Sequence, residues 1–569
     1  MAKTDTWIAV LLSLIAGVIF YPFARIGLDP HHDGIMLKPA LDVLAGQVLY
    51  RDTFSQYGPL TTYLQALALA VQPTLLSLRV LSVLANAVSL FFLYLAWRVL
   101  LPRSLSLVAS LLFVIHAQFF DPMFPLIPWS SVLALFPQSV AIFSLMRIVA
   151  GPPHAVWPWL LGLACACTVW CRLPVGIILT LSVGTIATAL HFTGWREYAP
   201  FTRKLWLKAG AAFCGVSVLM FGYLADQGAL AAGWEQTILW PRRWALEYNS
   251  VIFWINAQAF IYPREAWVLI ATLLVSFLPA ILRRIRPGLP GWVDFAWLAI
   301  LSGIYLGFAR PWVAPALGLF LGGWNAAVLL AIGLQAILVV GRALRRPAGA
   351  GGLPDREYYS SATLAGLALG SAWQIYPLPE PNHLYWALAP GLGVLVYCCH
   401  RWLRLSAVGC SLALLVLLIP GTYSKYRWGT YTLNLPAVTL VNPPVLRGMR
   451  VNPPLAAALE RSYAVIQPLL QKNPDQQVIL YGDDALYLAW FNNRENPSPY
   501  YVNWRNLASP ADQQKRLDYL FRTKPVVLLN GQGAFSLPYI PADYEIGPTE
   551  PLLDLRIALP AHVRPGDVK

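Results

Sequence analysis

The chain alternates long apolar runs with short charged connections. Runs long enough for a helix to cross about 30 Å of hydrocarbon fall at 7–23, 78–101, 104–120, 129–149, 155–171, 174–192, 207–224, 266–282, 292–308, 313–341, 358–373, 384–399 and 403–420. They predict a polytopic α-helical membrane protein with thirteen crossings. LTTYLQALALAVQP, residues 60–73, is as apolar but too short to span, which predicts an interfacial or re-entrant helix. After Pro420 the hydropathy falls. There Ala456–Gln471 has helical periodicity, QVILY (477–481) and PVVLLN (525–530) read as strands, and Asp483–Phe491 and Asp512–Phe521 read as capped helices. Strands alternating with helices predict a small α/β domain over 421–569, following a transmembrane domain over 1–420.

Charge orients the pattern. With Lys3 in the cytoplasm and sides alternating, the cytoplasmic connections receive Arg98/Arg103, Arg147, Arg196/Arg203/Lys204/Lys208, Arg283/Arg284/Arg286, Arg342/Arg345/Arg346 and Arg401/Arg404. That is the positive-inside arrangement. The opposite side receives Asp29, Asp33, Asp42, Asp52, Asp121, Asp226, Glu235, Glu247, Glu265 and Glu380, in external loops 24–77, 225–265 and 374–383, and it also receives the C-terminal domain. The expected location is the cytoplasmic membrane, with the N-terminus inside and the C-terminal domain outside.

Composition acts by exclusion. The 569 residues are 57% hydrophobic and 12% charged, with a mean hydropathy of +0.55, whereas a soluble chain carries about 25% charged residues. The net charge of +14 resides largely in the short connections, so it reads as topology and not as a nucleic-acid surface. The seven cysteines all lie in apolar runs; Cys167 and Cys171 are four apart, but no adjacent His or carboxylate completes a metal set. The run 7–23 has no small-residue cleavage site after it, which makes it a retained signal anchor.

Candidate chemistry begins directly after that run, in LDPHHDGIMLKPALD (28–42). Asp29 and Asp33 are one helical turn apart. A carboxylate against the membrane surface is partly desolvated, which raises its basicity and suits it to general-base work. His31 and His32 add donors or metal ligands; a solvated loop would look the same. HHDG (31–34), ALDVLAGQVLYRD (40–52) and YGPLTTYL (57–64), following a first transmembrane segment, resemble the GT-C glycosyltransferases. The resemblance is strongest to the polyprenyl-phosphate-sugar-dependent group that includes protein O-mannosyltransferases and lipid A aminoarabinose transferases. It implies that Asp33 is the catalytic base of the first external loop and that Tyr57 lies in the substrate site. Gly34 stands where many relatives carry Glu, leaving Asp29 or Asp52 to compensate.

Three further places carry candidate residues. PLPEPNHLYWALAP (377–390) brings Glu380 and His383 to the outer end of a late helix, where they would orient a sugar hydroxyl or the phosphate; Pro-set helix entry is the plainer alternative. Arg172, in WCRLPVG, is an isolated cation at the membrane edge, suited to a lipid phosphate or simply snorkelling. Arg242 and Arg243 lie between Trp240 and Trp244 at headgroup level, where generic attraction to anionic lipid is the alternative. Asp121, Asp483 and Asp484 read as turn-forming or capping residues.

The expected activity is inverting transfer of a sugar from a polyprenyl-phosphate donor to a lipid, glycan or protein acceptor. No cofactor is required, although the histidines leave room for a divalent metal. Membrane lipids are the other expected partners. The competing reading is a transporter or flippase of a lipid-linked or small polar substrate. It predicts ionisable groups near mid-membrane, whereas the acids here gather in loops.

Overall fold

The computed structural model describes residues 3–121, 125–151, 154–192, 203–247, 292–309, 313–345, 356–376, 380–402, 406–472, 476–490, 498–502, 507–530 and 540–561, with isolated residues between 257 and 290. The first nine helices are Lys3–Ala24 (α1), Pro30–Leu44 (α2), Pro59–Val71 (α3), Leu75–Leu100 (α4), Arg103–His116 (α5), Ser130–Ala150 (α6), Val156–Cys171 (α7), Leu173–Phe192 (α8) and Arg203–Asp226 (α9). Among the described residues six helices are long and apolar enough to span a bilayer: α1, α4, α6, α8, α9 and the stretch Trp324–Arg342. A seventh arises if Ala407–Ile419 and Gly421–Asn434, bent by 42° about Pro420, form one span.

Length and composition thus pick out fewer spans than the apolar runs do. The runs at 104–120 and 155–171 become α5 and α7, with 14 and 16 residues. The run at 384–399 breaks near Pro390 into Pro381–Leu388 and Gly391–Trp402. Nearly all of 266–282 lies outside the described residues. The interfacial candidate at 60–73 is α3, 13 residues long.

Helix α1 shows how composition sorts the faces. Leu11, Leu14 and Val18 are 57%, 63% and 74% exposed, while Ala9, Ala16 and Phe20 are buried on the side facing α4. Small residues on that side let the helices approach closely, and the large apolar ones meet lipid. At the end where α1 begins and α4 finishes, Asp5 accepts from Arg98 Nε (3.2 Å) and Arg103 Nε (3.1 Å). The opposite end, where α1 finishes and α4 begins, carries α2, α3 and the C-terminal part.

Helices α2 and α3 do not share the main bundle core. Their Ile35, Met36, Leu37, Ala40, Ala66 and Leu69 join Leu446, Val478, Leu480, Leu486, Tyr487, Trp490, Val526 and Leu528 in a second core. The first loop and the C-terminal part therefore form one unit seated on the bundle. Backbone pairing reinforces it: Gly27 N donates to Arg450 O (3.0 Å) and Phe54 N to Pro499 O (2.9 Å).

Among the described residues the C-terminal part has six short strands in two sheets. Val438–Thr439 (β1) pairs antiparallel with Arg450–Val451 (β2). Val478–Tyr481 (β3), Val526–Asn530 (β4), Tyr544–Ile546 (β5) and Leu555–Pro560 (β6) form a second sheet in the order β3-β4-β6-β5. Strands β3 and β4 are parallel, with Val478 opposite Val526, and are the two strands expected from sequence. Between them lies Pro510–Thr523, capped by Ser509 Oγ, which accepts from Asp512 N at 3.1 Å. Two expectations shift. The helix through Pro420 continues to Asn434, so the polar part opens inside a helix. Residues Ala485–Trp490 form a tight 3₁₀ turn in place of a capped α-helix.

Candidate functional site

Helix α2 begins where the sequence places its strongest start signal. Asp29 is the N-cap, with Oδ1 accepting from His32 N at 2.8 Å, and Pro30 follows at the first helical position. The cap fixes the cluster's geometry. His32 Nδ1 lies 2.8 Å from Asp29 Oδ2, and a carboxylate partner makes that nitrogen the donor. The two side chains stay 36% and 28% exposed. His31 Nδ1 sits 3.0 Å from the Asp483 carbonyl oxygen of the C-terminal part.

Asp33 has a different setting. It is fully buried, as is Arg79 of α4. Arg79 Nη2 donates to Asp33 Oδ2 (2.6 Å) and Arg79 Nε to Oδ1 (3.3 Å), while Asp29 N donates to Oδ2 at 2.9 Å. Arg79 Nη1 also holds the Ile26 carbonyl at 2.9 Å. Both carboxylate oxygens are thus engaged in a closed fork, which positions the start of α2 on α4. Arg79 escaped the reading of the sequence, although a lone cation in LLSLRVLSVL is the signal that marks a buried partner.

Electrostatics separates the four groups. Burial raises the Asp29 carboxyl, but the hydrogen bond from His32 and its charge outweigh this and hold it below the ordinary value. Burial depresses His32, yet Asp29, with Glu380 and Asp33 further off, raises it above 6.5. His31 is pushed down to about 4 by burial and the neighbouring His32, against the pull of Asp29 and the Asp483 carbonyl. Burial moves Asp33 up, opposed by Arg79. One imidazole is thereby kept neutral and the other is made basic.

Aromatic rings form the wall facing His32. Its ring lies 4.6 Å from Trp129, at the start of α6. Trp129 lies 6.4 Å from His383, 6.3 Å from Trp386 and 6.5 Å from Tyr57, while His383 and Trp386 are 5.1 Å apart. Beyond Tyr57 comes Arg172, the C-cap of α7, its guanidinium 6.0 Å from the Tyr57 ring centre. Arg172 Nη1 is buried without a hydrogen-bond partner among the described residues. Gly58 makes this approach feasible: a Cβ there would fall 2.1 Å from the Trp170 carbonyl oxygen. Pro59 then starts α3, and Thr61 Oγ1 donates to Cys171 O at 2.9 Å.

Gly34 also has a packing reason. A Cβ there would lie 2.1 Å from Leu486 N and 2.6 Å from Ala485 C. The space a Glu side chain would use is occupied by backbone of the C-terminal part. The same turn brings Asp483 and Asp484 towards α2. Burial raises Asp484 to about 6, aided by the charges of Asp29, Asp483 and Asp554 and against its bond with Asn530.

Asp29, His31, His32, Asp33, Tyr57, Arg172, Glu380 and His383 are therefore gathered at one end of the bundle. Burial also raises Glu380, with the charge of His32 opposing. Three other candidates have separate contacts. Asp52 accepts from Val48 N (2.8 Å) and pairs with Arg51 (2.9 Å). Arg243 is exposed and pairs with Glu235 at 2.5 Å, and Arg242 is exposed beside it. Among the described residues no three His, Cys, Asp or Glu side chains are grouped so as to hold a metal ion.

No family model and no curated protein sequence matches the chain. The structure is similar to the crystal structure of the Archaeoglobus fulgidus oligosaccharyltransferase with Zn and sulfate, at 12% identity and a TM-score of 0.47 over 92% of this chain and 68% of that one. The same enzyme tethered to an acceptor peptide containing the NVT sequon gives 13% identity and 0.46 over 92% and 69%. ArnT from Cupriavidus metallidurans bound to undecaprenyl phosphate gives 12% identity and 0.45 over 98% of both chains. These are likenesses of chain path, and the chemistry of the site is decided by this chain's own residues.

Proposed function

We propose that the protein is an inverting membrane glycosyltransferase, transferring a sugar from a polyprenyl-phosphate donor to a hydroxyl-bearing acceptor at the outer face of the cytoplasmic membrane. One observation carries the reading: a carboxylate–imidazole pair and an unsatisfied guanidinium flank one aromatic wall at one end of an apolar bundle.

In the proposed reaction the acceptor oxygen attacks the anomeric carbon as the bond from that carbon to the phosphate oxygen breaks. The bonding electrons leave with the phosphate, and the configuration inverts. Arg172, which has a free donor, neutralises the departing phosphate. His32 takes the acceptor proton on Nε2, while Asp29 holds Nδ1–H and stabilises the imidazolium that forms. His31, Glu380 and His383 border the sugar, and Trp129, Tyr57 and Trp386 offer flat apolar faces to it. The resemblance assigned the base to Asp33. Its closed, fully buried pairing with Arg79 favours an anchoring role, and the partly exposed Asp29–His32 pair is the better base. Arg242, Arg243 and Asp52 stay at the margin, where the arginines meet lipid headgroups.

The transporter reading gains no support from the buried ionisable groups of the bundle. His116 Nε2 lies 2.5 Å from Asn325 Oδ1, and Lys425 Nζ donates to Ala117 O at 2.6 Å. Both contacts sit at the last turn of α5, near the same end as the cluster and not at the bundle's middle.

The test is transfer from polyprenyl-phosphate sugars in reconstituted membranes, with His32→Gln compared with Asp33→Asn and folding monitored for both. Loss of transfer in a well-folded His32→Gln protein is the expected result. Full activity in that variant, with a folded and inactive Asp33→Asn protein, returns the base to Asp33 and refutes the pair.

A further inference from the structure

The bundle end remote from the cluster holds a cavity of about 350 Å³. Its walls come from the last turns of Val313–Arg345 and Gly391–Trp402 and the first turn of Arg356–Ala372. Polar groups dominate them. Arg401 Nε pairs with Glu357 Oε1 at 2.5 Å, and Tyr397 Oη donates to the same oxygen at 3.0 Å. Tyr358 Oη donates to the Val339 carbonyl at 2.9 Å. Arg342 lines the cavity, is exposed, and has no ion pair among the described residues.

Charge counting sets the sign of the ligand. Arg342 and Arg401 bring two positive charges and Glu357 one negative, so the cavity is left with one uncompensated cation. Both tyrosine hydroxyls already donate within the wall, which leaves the Arg342 guanidinium as the donor, and a guanidinium fits a phosphate oxygen pair better than it fits a carbonyl or a cation. The surroundings say where that phosphate is attached. Leu338 lines the cavity and is itself 48% exposed, and the neighbouring Leu334 and Ile337 are 38% and 67% exposed. Trp402 stands at the rim, 37% exposed, where an indole meets a membrane interface. A ligand whose phosphate enters the cavity would lay apolar chains along the Leu334–Leu338 face.

We propose that this cavity is a binding site for the phosphate of a membrane phospholipid, at the face opposite the transfer site, with Arg342 as the principal contact. Arg401 is a weaker contributor, because Glu357 already holds it. The site shares no residue with Asp29, His32 and Arg172, so its test does not depend on the proposed transfer reaction.

The test uses the full chain in detergent, titrated with short-chain phosphatidylglycerol and read by native mass spectrometry and thermal unfolding. Inorganic phosphate and short-chain diacylglycerol are the comparison probes. Expected is one retained phospholipid and a stability gain that neither comparison probe reproduces. Arg342→Gln should weaken phospholipid binding about tenfold, and Arg342→Lys, which keeps the charge but not the fork, should restore only part of it. Equal binding by Arg342→Gln overturns the site. An equal stability gain from inorganic phosphate overturns the lipid as its source, and one from diacylglycerol overturns the phosphate as the recognised group.

Discussion

Replacing Asp33 and Arg79 singly and together separates an anchor from a catalyst. Both side chains are completely buried, and they share two contacts, at 2.6 and 3.3 Å. Asp33→Asn leaves the Arg79 charge without its counter-ion, a change that costs about 3–5 kcal/mol for a buried pair. Arg79→Gln strands a carboxylate, but that group can escape by taking a proton. Its penalty should therefore shrink as the pH falls towards the raised Asp33 value. In the Asp33→Asn/Arg79→Gln double variant no buried charge remains, and the two amides can hydrogen-bond to each other and to the Ile26 carbonyl. The double variant should recover roughly 2–3 kcal/mol relative to the sum of the singles. The assay is unfolding of all four proteins in one detergent, alongside transfer from a polyprenyl-phosphate sugar. Additive losses would refute the pairing. A double variant that regains stability and transfers sugar would show that Asp33 is an anchor and not the base.

The same geometry sets other outcomes. If neutral His32 is the base, turnover should rise with pH through a value above 6.5; Asp29→Asn removes the main upward influence, so the rising limb should move to lower pH, leaving Glu380 and Asp33 as the remaining nearby acids. Sign works the opposite way for stability: the Asp29–His32 pair contributes most between pH 3.8 and 6.5, fading as the pH rises through the raised His32 value and as it falls through the lowered Asp29 value. Arg172→Gln should lower turnover about 10²–10³-fold, the effect of losing one preorganised partner of a developing anion, with unfolding unchanged; an unaltered turnover number excludes it from the leaving-group site. Gly34→Ala places a Cβ 2.1 Å from Leu486 N and should cost about 1–3 kcal/mol as overpacking, seen as faster proteolysis at the seam between α2 and the C-terminal part. Arg243→Gln removes only an exposed ion pair with Glu235, and should change stability by about 0–1 kcal/mol in a denaturation midpoint.

Much of this protein is written locally. Apolar run length marks α1, α4, α6, α8 and α9, because a bilayer demands internally bonded helices of a set length and allows little else. Asp29 and Pro30 mark the start of α2 through backbone capping, and the hydrophobic stretches 477–481 and 525–530 mark β3 and β4. These features depend on neighbours within a few residues. Tertiary structure decided the rest. Which of the two acids is closed off depends on Arg79, 46 positions beyond Asp33, and although capping singles out Asp29 locally, nothing local says that Asp33 is the one held shut. Gly34 reads locally as a missing carboxylate, whereas in the fold the backbone of Ala485 and Leu486 occupies its place. Arg172 joins Tyr57 only because Gly58 lets the start of α3 touch the end of α7. Spacing along a chain cannot report such contacts, because each depends on how separately formed helices pack. The sequence by itself determined that this is a membrane helix bundle with an acidic stretch directly after its first apolar run; the packing decided which of those acids is held shut and which lies open.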